Sequence, residues 1–353
     1  MNKYWSDLVK HLKPYEPGEQ IHVDGILKLN TNENPFGPSP RVLTAIELQL
    51  GDQLRLYPPP SSSSLKQSIA NYYGLKKEQV FLGNGSDEVL AHIFNGLLKK
   101  RLPILFPDIT YSFYPVFCQL FDIKFEEIAL KDDLSIDLTD YEVPNGGIIF
   151  PNPNAPTGRL LGISELERLL QNNENSVVVI DEAYIDFGGQ SAVSLIPNNP
   201  NLIVSQTMSK SRSMAGMRIG FALGSAGLIE GLERVKNSFN SYPLGHLQIA
   251  AGIAAMEDHD YFRDVCKRVI MNREDLSSEL KQLGFTVVPS AGNFLLVSHS
   301  ALSAHKIYKQ LKVNGIIVRY FDKSRLDTFV RITVGTSDQN VQLVAVLKKI
   351  LRG

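Results

Sequence analysis

The sequence predicts an α/β fold: a mixed, mainly parallel central sheet flanked by helices, together with a smaller α+β unit. Two observations carry this prediction. Between about residues 80 and 225, short apolar strands alternate with amphipathic helices, and segments such as 177–180 are apolar on both faces, as in a buried parallel sheet. After about residue 262, a long charged helix is followed by short strands. This change of pattern indicates a second, smaller unit.

The elements of the larger unit follow from apolar periodicity and turn residues. Strands are predicted at 80–82, 104–106, 148–150, 177–180, 202–204 and 217–223. Ser164 and Glu167 have capping-box spacing and predict the start of a helix between two of these strands. Ser64 and Gln67 have the same spacing, so the Pro- and Ser-rich run at 58–64 is interpreted as the entry to a helix rather than a linker.

The smaller unit is predicted from shorter segments. Strands are expected near 286–289, 294–297, 316–319 and 330–334, with a helix near 304–314 and a closing helix. The charged helix at 262–282 is interpreted as having one solvated face. We expect the break between the two units near residue 262.

Composition and charge exclude several classes of protein. Lys and Arg number 36 and Asp and Glu 37, so the net charge of −1 offers no basic surface for nucleic acid or an anionic membrane. No apolar run approaches the ~18 residues of a membrane span, and the first residues lack the apolar core of a signal peptide. The two cysteines and seven histidines show no metal-ligand spacing. We expect a soluble cytoplasmic protein without a metal.

Polar residues follow several predicted strands, where open α/β sheets bind ligands. The glycine turn at 83–88 opens a helix whose free N–H groups suit an anion, although Ser86 or Asp87 could simply cap that helix. Asp181 ends a strand and is either a helix cap or a buried charge with a partner. Lys210 follows the 202–204 strand, and Arg218 opens the next one. A single lysine is most often a solvated surface residue, so only the combination points to chemistry.

Taken together and in chain order, these motifs resemble the fold type I pyridoxal-phosphate aminotransferases, and within them the histidinol-phosphate aminotransferase family. The resemblance covers nearly the whole chain. It rests on Gly85-Ser86-Asp87, Asn154-Ala155-Pro156-Thr157-Gly158, Asp181-x-x-Tyr184, Ser209-Lys210 and Arg218, with Asn30-Thr31-Asn32-Glu33-Asn34-Pro35 and Arg331-Ile332-Thr333-Val334-Gly335-Thr336 nearer the two ends.

The resemblance implies pyridoxal 5'-phosphate as cofactor and assigns roles around its ring. Lys210 is the amine that bonds to the cofactor and later moves the substrate proton. Asp181 keeps the ring nitrogen protonated, which lets the ring act as an electron sink. Tyr184 donates to the ring hydroxyl, and Tyr111 stacks on the ring face.

The resemblance also implies a phosphate cup and a shared site. The cofactor phosphate is expected on the N–H groups of Ser86 and Asp87, with Ser209 and Arg218 completing the cup. Tyr57 matches a tyrosine that crosses to the partner subunit's phosphate, which implies a homodimer whose active sites each need two chains.

On the substrate side, the resemblance assigns Arg331 to the α-carboxylate of glutamate through a bidentate fork. Arg319 and Tyr15 match positions around the phosphate of histidinol phosphate, and Asn34 is placed among the substrate-binding residues. Residues 240–242 are a further candidate for the substrate pocket.

One position departs from the family pattern. The family usually carries an asparagine directly before Pro-Thr-Gly, where its amide binds the ring hydroxyl, and this chain has Ala155 there. Asn154 could take over only if the turn rotates. The loss of one hydrogen bond is worth ~1 kcal/mol and leaves Tyr184 to hold the oxygen.

The implied reaction is transfer of an amino group from histidinol phosphate to 2-oxoglutarate, with residues 40–262 as the large cofactor-binding domain and residues 1–39 plus 263–353 as the small domain with an N-terminal arm. Three alternatives stay open at this point. They are an aromatic amino acid aminotransferase, a phospho-amino-acid decarboxylase of the same fold, and a cofactor-binding regulator without catalysis.

Overall fold

A computed structural model describes residues 3–15, 17–20 and 25–352. In this part of the chain the strands are β1 (Leu27–Lys28), β2 (Val80–Asn84), β3 (Ile104–Pro107), β4 (Phe125–Ile128), β5 (Gly147–Pro151), β6 (Val178–Asp181), β7 (Leu202–Thr207), β8 (Ile219–Gly224), β9 (Phe285–Val287), β10 (Phe294–His299), β11 (Ile316–Ile317), β12 (Arg319–Tyr320) and β13 (Val330–Thr333). All six strands predicted for the larger unit are present, each within two residues of its predicted start.

The helices are α1 (Asp7–His11), α2 (Pro40–Glu47), α3 (Ser63–Tyr73), α4 (Ser86–Ile93), α5 (Tyr114–Phe121), α6 (Ile163–Gln171), α7 (Ala226–Asn237), α8 (His246–Glu257), α9 (His259–Gln282), α10 (Ala304–Val313) and α11 (Ser337–Arg352). A π-helical turn, Phe94–Leu98, continues α4. Short 3-10 segments lie at Asp52–Arg55, Lys77–Gln79, Leu138–Tyr141, Ile185–Phe187, Ala192–Asn198 and Ala215–Met217.

Seven strands form the large sheet in the order β2-β8-β7-β6-β5-β3-β4. The neighbours from β7 to β4 pair in parallel, and β8 is antiparallel to both β7 and β2. The prediction of a mixed, mainly parallel sheet is therefore confirmed. The carboxyl ends of β2, β7, β6, β5 and β3 lie at one edge of this sheet, where β8 begins.

The apolar strands of the large sheet serve two cores. Val178 and Ile180 pack into one cluster, whereas Val179 between them packs into the cluster on the opposite face. Because helices cover both faces, each residue of such a strand is removed from water, and a fully buried side chain of this size contributes about 1.5–3 kcal/mol. This explains why these strands are apolar at successive positions rather than alternate ones.

The second unit contains a four-stranded antiparallel sheet, β12-β13-β10-β9, and a separate two-stranded pair. In that pair β1 lies parallel to β11, with Leu27 opposite Ile316, so the N-terminal segment packs with the C-terminal third of the chain. Residue 262 lies in the first turn of α9, so a boundary there falls inside a continuous helix. The division into domains at 40–262 stays a prediction.

Three predicted helix starts are wrong by one or two residues. Helix α3 begins at Ser63 after Ser62, so Ser64 lies inside it. Helix α6 begins after Gly162, whose N–H donates to the Glu165 carboxylate at 2.7 Å, two residues before the predicted box. Helix α4 is preceded by Gly85, so neither Ser86 nor Asp87 is its N-cap. In each case the residue before the helix is set by backbone conformation rather than by a capping hydroxyl.

Candidate active site

A cavity of about 280 Å³ opens at the carboxyl edge of the large sheet and is closed on its other side by residues of the second unit. The β2, β6 and β7 ends meet there, so residues far apart in the chain become neighbours. Eleven of the thirteen predicted site residues line this cavity: Tyr15, Ser86, Asp87, Tyr111, Asp181, Tyr184, Ser209, Lys210, Arg218, Arg319 and Arg331.

Two predicted residues do not line it. Tyr57 is 82% exposed, and its ring lies 4.9 Å from that of Tyr242. The Asn34 amide donates to the backbone carbonyls of Lys210 at 2.9 Å and Ser211 at 3.4 Å. Asn34 therefore holds the chain at Lys210 and does not line the cavity, and its placement among substrate-binding residues stays a prediction. Residues 240–242 are also absent from the lining.

Lys210 lies three residues beyond the end of β7 and is partly buried. Its Nζ donates to the Thr31 carbonyl at 3.0 Å and lies 5.7 Å from the centre of the Tyr184 ring. The alternative of a solvated surface lysine does not fit this position, because the ammonium is directed into the cavity. Its amine is held by one backbone oxygen on the N-terminal segment.

Asp181, the last residue of β6, is buried with one of its two oxygens unpaired. Oδ2 accepts from the Tyr114 hydroxyl at 3.1 Å, and Oδ1 has no hydrogen-bond partner among the described residues. Burial raises the pKa of this carboxyl to about 6, although the hydrogen bonds from Tyr114 and from the Ala183 N–H oppose the rise. A buried carboxylate with a free oxygen facing a cavity is suited to a ligand N–H.

The start of α4 forms an anion cup with Arg218. Gly85 has a φ of +83°, which residues with a Cβ rarely adopt, and an added Cβ there would also meet the Arg218 guanidinium, so the turn favours glycine. The first N–H groups of a helix have no intrahelical partner, and here they belong to Ser86 and Asp87. Arg218 donates to Asp87 at 3.3 Å and to Ser209 Oγ at 3.5 Å.

The opposite wall carries two arginines on neighbouring strands, and the register of β12 and β13 places Arg319 directly opposite Arg331. Arg331 donates to the Asn30 carbonyl at 2.8 Å, and its Nε has no hydrogen-bond partner among the described residues. Burial lowers the pKa of its guanidinium, and Arg319 adds to this lowering. Two cations this close favour anionic ligands.

Aromatic side chains close the remaining side. The Tyr111 hydroxyl donates to Asp87 at 2.9 Å, and burial, with the Asp87 charge beside it, raises the pKa of Tyr111 well above its usual range. The Tyr15 ring lies 6.2 Å from that of Tyr111 and stacks on Phe113 at 4.6 Å. A neutral aromatic wall therefore adjoins the charged cup.

Ala155 faces the cavity, and Asn154 does not replace the amide that family members carry there. The Asn154 amide donates to the Ile109 carbonyl at 2.9 Å and to Thr157 Oγ1 at 3.1 Å, away from the cavity. The turn is therefore not rotated in the way that would let Asn154 take over this role.

Sequence reasoning missed four residues that shape the site. Thr31 accepts from Lys210, Asn32 donates to the Tyr184 hydroxyl at 3.1 Å, Tyr114 donates to Asp181, and the Thr207 hydroxyl donates to Ser209 Oγ. The motif at residues 30–35 marked the first two without a role. No local signal pointed to Tyr114, which lies 67 positions before its partner.

Comparison with known proteins agrees with this geometry. Residues 24–347 match the family model described as aminotransferase class I and II. Histidinol-phosphate aminotransferase 1 of Hydrogenovibrio crunogenus is 58% identical over 352 residues, covering 100% of this chain and 99% of that protein. Its counterpart in Pseudomonas aeruginosa is 56% identical over 347 residues, covering 98% of this chain and 99% of that protein. The chain belongs to the histidinol-phosphate aminotransferase family.

The fold agrees with solved structures of this family. The crystal structure of histidinol-phosphate aminotransferase from Sinorhizobium meliloti in complex with pyridoxal-5'-phosphate superposes with a TM-score of 0.87 at 24% identity, covering 100% of this chain and 98% of that one. The histidinol-phosphate aminotransferase from Clostridium acetobutylicum superposes with a TM-score of 0.85 at 25% identity, covering 93% of this chain and 99% of that one. Both likenesses place the chain in fold type I.

Class I and II aminotransferases use pyridoxal 5'-phosphate, and the residues present fit that group. The free Oδ1 of Asp181 is an acceptor for a ring N–H, and the cup at Ser86 and Arg218 suits a phosphate. The Lys210 amine lies in the same cavity. As a member of the histidinol-phosphate aminotransferase family, this chain is a pyridoxal-phosphate-dependent aminotransferase. Among its described residues, no helix is long and apolar enough to cross a bilayer.

Proposed function

We propose that the enzyme transfers the amino group of histidinol phosphate to 2-oxoglutarate, yielding imidazole-acetol phosphate and glutamate, in histidine biosynthesis. One observation carries the proposal. A lysine amine, a buried carboxylate with a free oxygen, an anion cup and two further arginines all line one cavity of about 280 Å³. The relatives that are 54–58% identical over the full chain are described as histidinol-phosphate aminotransferases, which supports this donor.

The roles of the cofactor-side residues follow from their positions. When bound, pyridoxal phosphate supplies an electron sink for the negative charge that develops on the substrate's α carbon. Lys210 would provide the amine that holds the cofactor, and its amine would move a proton at that carbon. Asp181 holds the ring nitrogen in its protonated form, and Tyr184 donates to the ring oxygen. Tyr111 packs against the ring face.

The two anion sites of the cavity serve different groups. Ser86, Asp87, Ser209 and Arg218 hold the cofactor phosphate, which is a fixed part of the enzyme. Arg331 takes the carboxylate of glutamate, and Arg319 with Tyr15 takes the phosphate of the donor. Their common wall explains how one cavity accepts a phosphate ester in one half-reaction and a dicarboxylic acid in the other.

In this proposal the enzyme is a homodimer, and each active site contains residues of both subunits. The proposed location is the cytoplasm. Tyr57 does not reach the cavity of its own chain, and it lies exposed beside Tyr242. This position suits a side chain that contacts the cofactor phosphate of a partner subunit. Cys118 and Cys266 are both buried and unpaired, which accords with a reducing compartment. The separation into domains at 40–262 belongs to the same proposal.

The test is a product assay on the purified holoenzyme. With histidinol phosphate and 2-oxoglutarate we expect one glutamate formed per imidazole-acetol phosphate, and no glutamate from the Lys210→Ala variant. Release of carbon dioxide from a phosphorylated amino acid would instead identify a decarboxylase. Absence of a spectral change with every amine tested would identify a regulator without catalysis.

A further inference from the structure

We propose that Asn32 is a positioning residue that directs the Tyr184 hydroxyl proton toward the cofactor's ring oxygen, and so compensates for the amide that Ala155 cannot supply. The inference rests on the proposed contact between Tyr184 and the cofactor. It goes further by assigning a role to a residue outside the cavity lining, on the segment that joins the two units.

The hydrogen bond at Tyr184 has a defined direction. The Asn32 Nδ2 donates to the Tyr184 hydroxyl oxygen at 3.1 Å. A tyrosine hydroxyl has one hydrogen, and an oxygen that accepts from a neighbour keeps its own hydrogen for another acceptor. Among the described residues, no acceptor receives the Tyr184 hydrogen. Tyr184 lines the cavity, so that hydrogen is available to a ligand there.

The orientation of the Asn32 amide is itself fixed by neighbours. Thr333 Oγ1 accepts from the Asn32 backbone N–H at 3.0 Å and donates to Asn32 Oδ1 at 3.1 Å. With Oδ1 occupied as an acceptor, the NH₂ group faces Tyr184. Asn293 Nδ2 also donates to the Asn32 carbonyl at 3.0 Å. Asn32 and Asn293 are fully buried, so solvent does not compete for these bonds.

The backbone of Asn32 supports a dedicated role. Its φ of +56° lies in the left-handed region, which asparagine tolerates better than most residues that carry a Cβ. Thr333 ends β13, the strand that also carries Arg331. Asn32 therefore links the strand carrying Arg331 directly to the hydroxyl of Tyr184.

The missing amide makes this link consequential. Ala155 offers only a methyl group at the cavity, and the Asn154 amide is bonded to Ile109 and Thr157. A Tyr184 hydrogen pointed at the ring oxygen stabilises negative charge on that oxygen. The oxygen then competes less well for the proton on the Lys210-linked nitrogen, so this proton is lost at lower pH. Losing the Asn32 donor raises that pH.

The test is a pH titration of the visible absorption band of the holoenzyme, which reports this proton without any turnover. For Asn32→Ala and Asn32→Asp we expect the titration midpoint to rise by about one pH unit, which corresponds to roughly tenfold tighter binding of the proton. The Asn199→Asp variant controls for a buried carboxylate far from the site, since the Asn199 side chain donates to the Leu195 carbonyl near the start of β7, at the opposite end from the cavity, and its midpoint stays at the wild-type value.

A double-mutant cycle separates positioning from a structural role. Tyr184→Phe raises the midpoint, and adding Asn32→Ala produces no further rise, because Asn32 acts through the hydroxyl that is already gone. Thr333→Val removes the hydroxyl that orients the Asn32 amide, so we expect it to raise the titration midpoint less than Asn32→Ala does. If the Asn32→Ala protein does not fold, Thr333→Val replaces it in the test. An unchanged midpoint in both Asn32 variants, or additive shifts with Tyr184→Phe, would overturn the inference. A wild-type protein that forms no visible band with added pyridoxal phosphate would overturn the proposed function and this inference with it, whereas a wild-type band that does not change with pH would overturn this inference alone.

Discussion

At the scale of single residues, the site depends on buried polar groups whose partners come from distant parts of the chain. The Asp181 carboxylate accepts a hydrogen bond from the Tyr114 hydroxyl, and the Lys210 amine donates one to the Thr31 carbonyl. The Tyr184 hydroxyl accepts one from the Asn32 amide. Asp181 and Lys210 could be predicted because Asp181 ends one apolar strand, Lys210 follows another, and both belong to a recognisable set of motifs in chain order. Thr31, Asn32 and Tyr114 could not, because a contact that spans 67 to 179 positions leaves no periodic or local pattern in the sequence.

Asp181 gives the cofactor-free protein a distinctive pH dependence. Its pKa in the folded state is about 6 against an ordinary 3.8, so the stability linked to its protonated form is present below about pH 4 and lost as pH rises through 6. Relative to Asp181→Asn, the cofactor-free wild type should lose about 3 kcal/mol of unfolding free energy across this range. Thermal unfolding of both proteins at pH 4 and pH 7 measures the difference.

Bound cofactor should reduce this loss, because in the proposed site a ring N–H would supply the partner that Asp181 Oδ1 lacks. The comparison with Asp181→Asn removes the parallel contribution of the neighbouring Glu182, whose pKa burial raises to about 7. Equal pH dependence of the cofactor-free wild type and Asp181→Asn would contradict the assignment of a buried, unpaired carboxylate.

At the scale of elements, apolar strands and amphipathic helices could be predicted, and short or polar elements could not. Strand β4 reads Phe-Glu-Glu-Ile, lies at the edge of the large sheet and is largely exposed, so it lacks the apolar signal of its neighbours. Strand β1 has two residues and exists because it pairs with β11, 289 positions away. Tertiary pairing, not local propensity, creates both elements.

The pairing of β2 with β8 shapes the anion cup, and a single methyl group tests it. Gly83 lies opposite Gly220, and a Cβ on Gly220 would lie 2.5 Å from the Ser86 nitrogen. We expect Gly220→Ala to displace this turn and weaken cofactor binding at least ~10-fold, a cost of about 1.4 kcal/mol or more. The dissociation constant is read by absorbance on adding pyridoxal phosphate to the cofactor-free protein.

Gly227→Ala is the matched control for this experiment. Nothing lies within 4 Å of a Cβ at Gly227, which is in the first turn of α7, so the added methyl should leave cofactor affinity at the wild-type value. If Gly220→Ala binds the cofactor as tightly as Gly227→Ala, the close approach of β8 to the cup does not govern cofactor binding.

At the scale of the whole molecule, the cavity is lined by residues from two sheets of one chain. In the proposed dimer, a second chain contributes a further side chain. Asp181 ends a strand of the large sheet and Lys210 follows another, whereas Arg319 and Arg331 lie on β12 and β13 of the small sheet. The net charge of −1 therefore conceals a local concentration of cations around one cavity. The net charge could exclude a broad basic surface, but it could not exclude a local cluster of cations around one cavity.

Subunit mixing tests the shared site. Lys210→Ala and Tyr57→Phe homodimers should each be impaired at both sites, because in the proposed dimer every site needs Lys210 from one chain and Tyr57 from the other. A heterodimer of the two variants holds one doubly altered site and one site with both wild-type residues. We expect mixed subunits to recover up to about half of the wild-type activity per heterodimer, measured after separation by affinity tags. Heterodimers no more active than the parent homodimers would count against sharing.

The most direct measurement of the central claim is the steady-state comparison of amino donors on the holoenzyme. With 2-oxoglutarate as acceptor, kcat/KM for histidinol phosphate should exceed that for phenylalanine or tyrosine by at least ~100-fold, since in the proposed site only the phosphate ester engages both Arg319 and Tyr15. An Arg319→Gln variant should lose most of this preference while its activity toward phenylalanine changes little. A kcat/KM for phenylalanine or tyrosine equal to or above that for histidinol phosphate would contradict the proposed function.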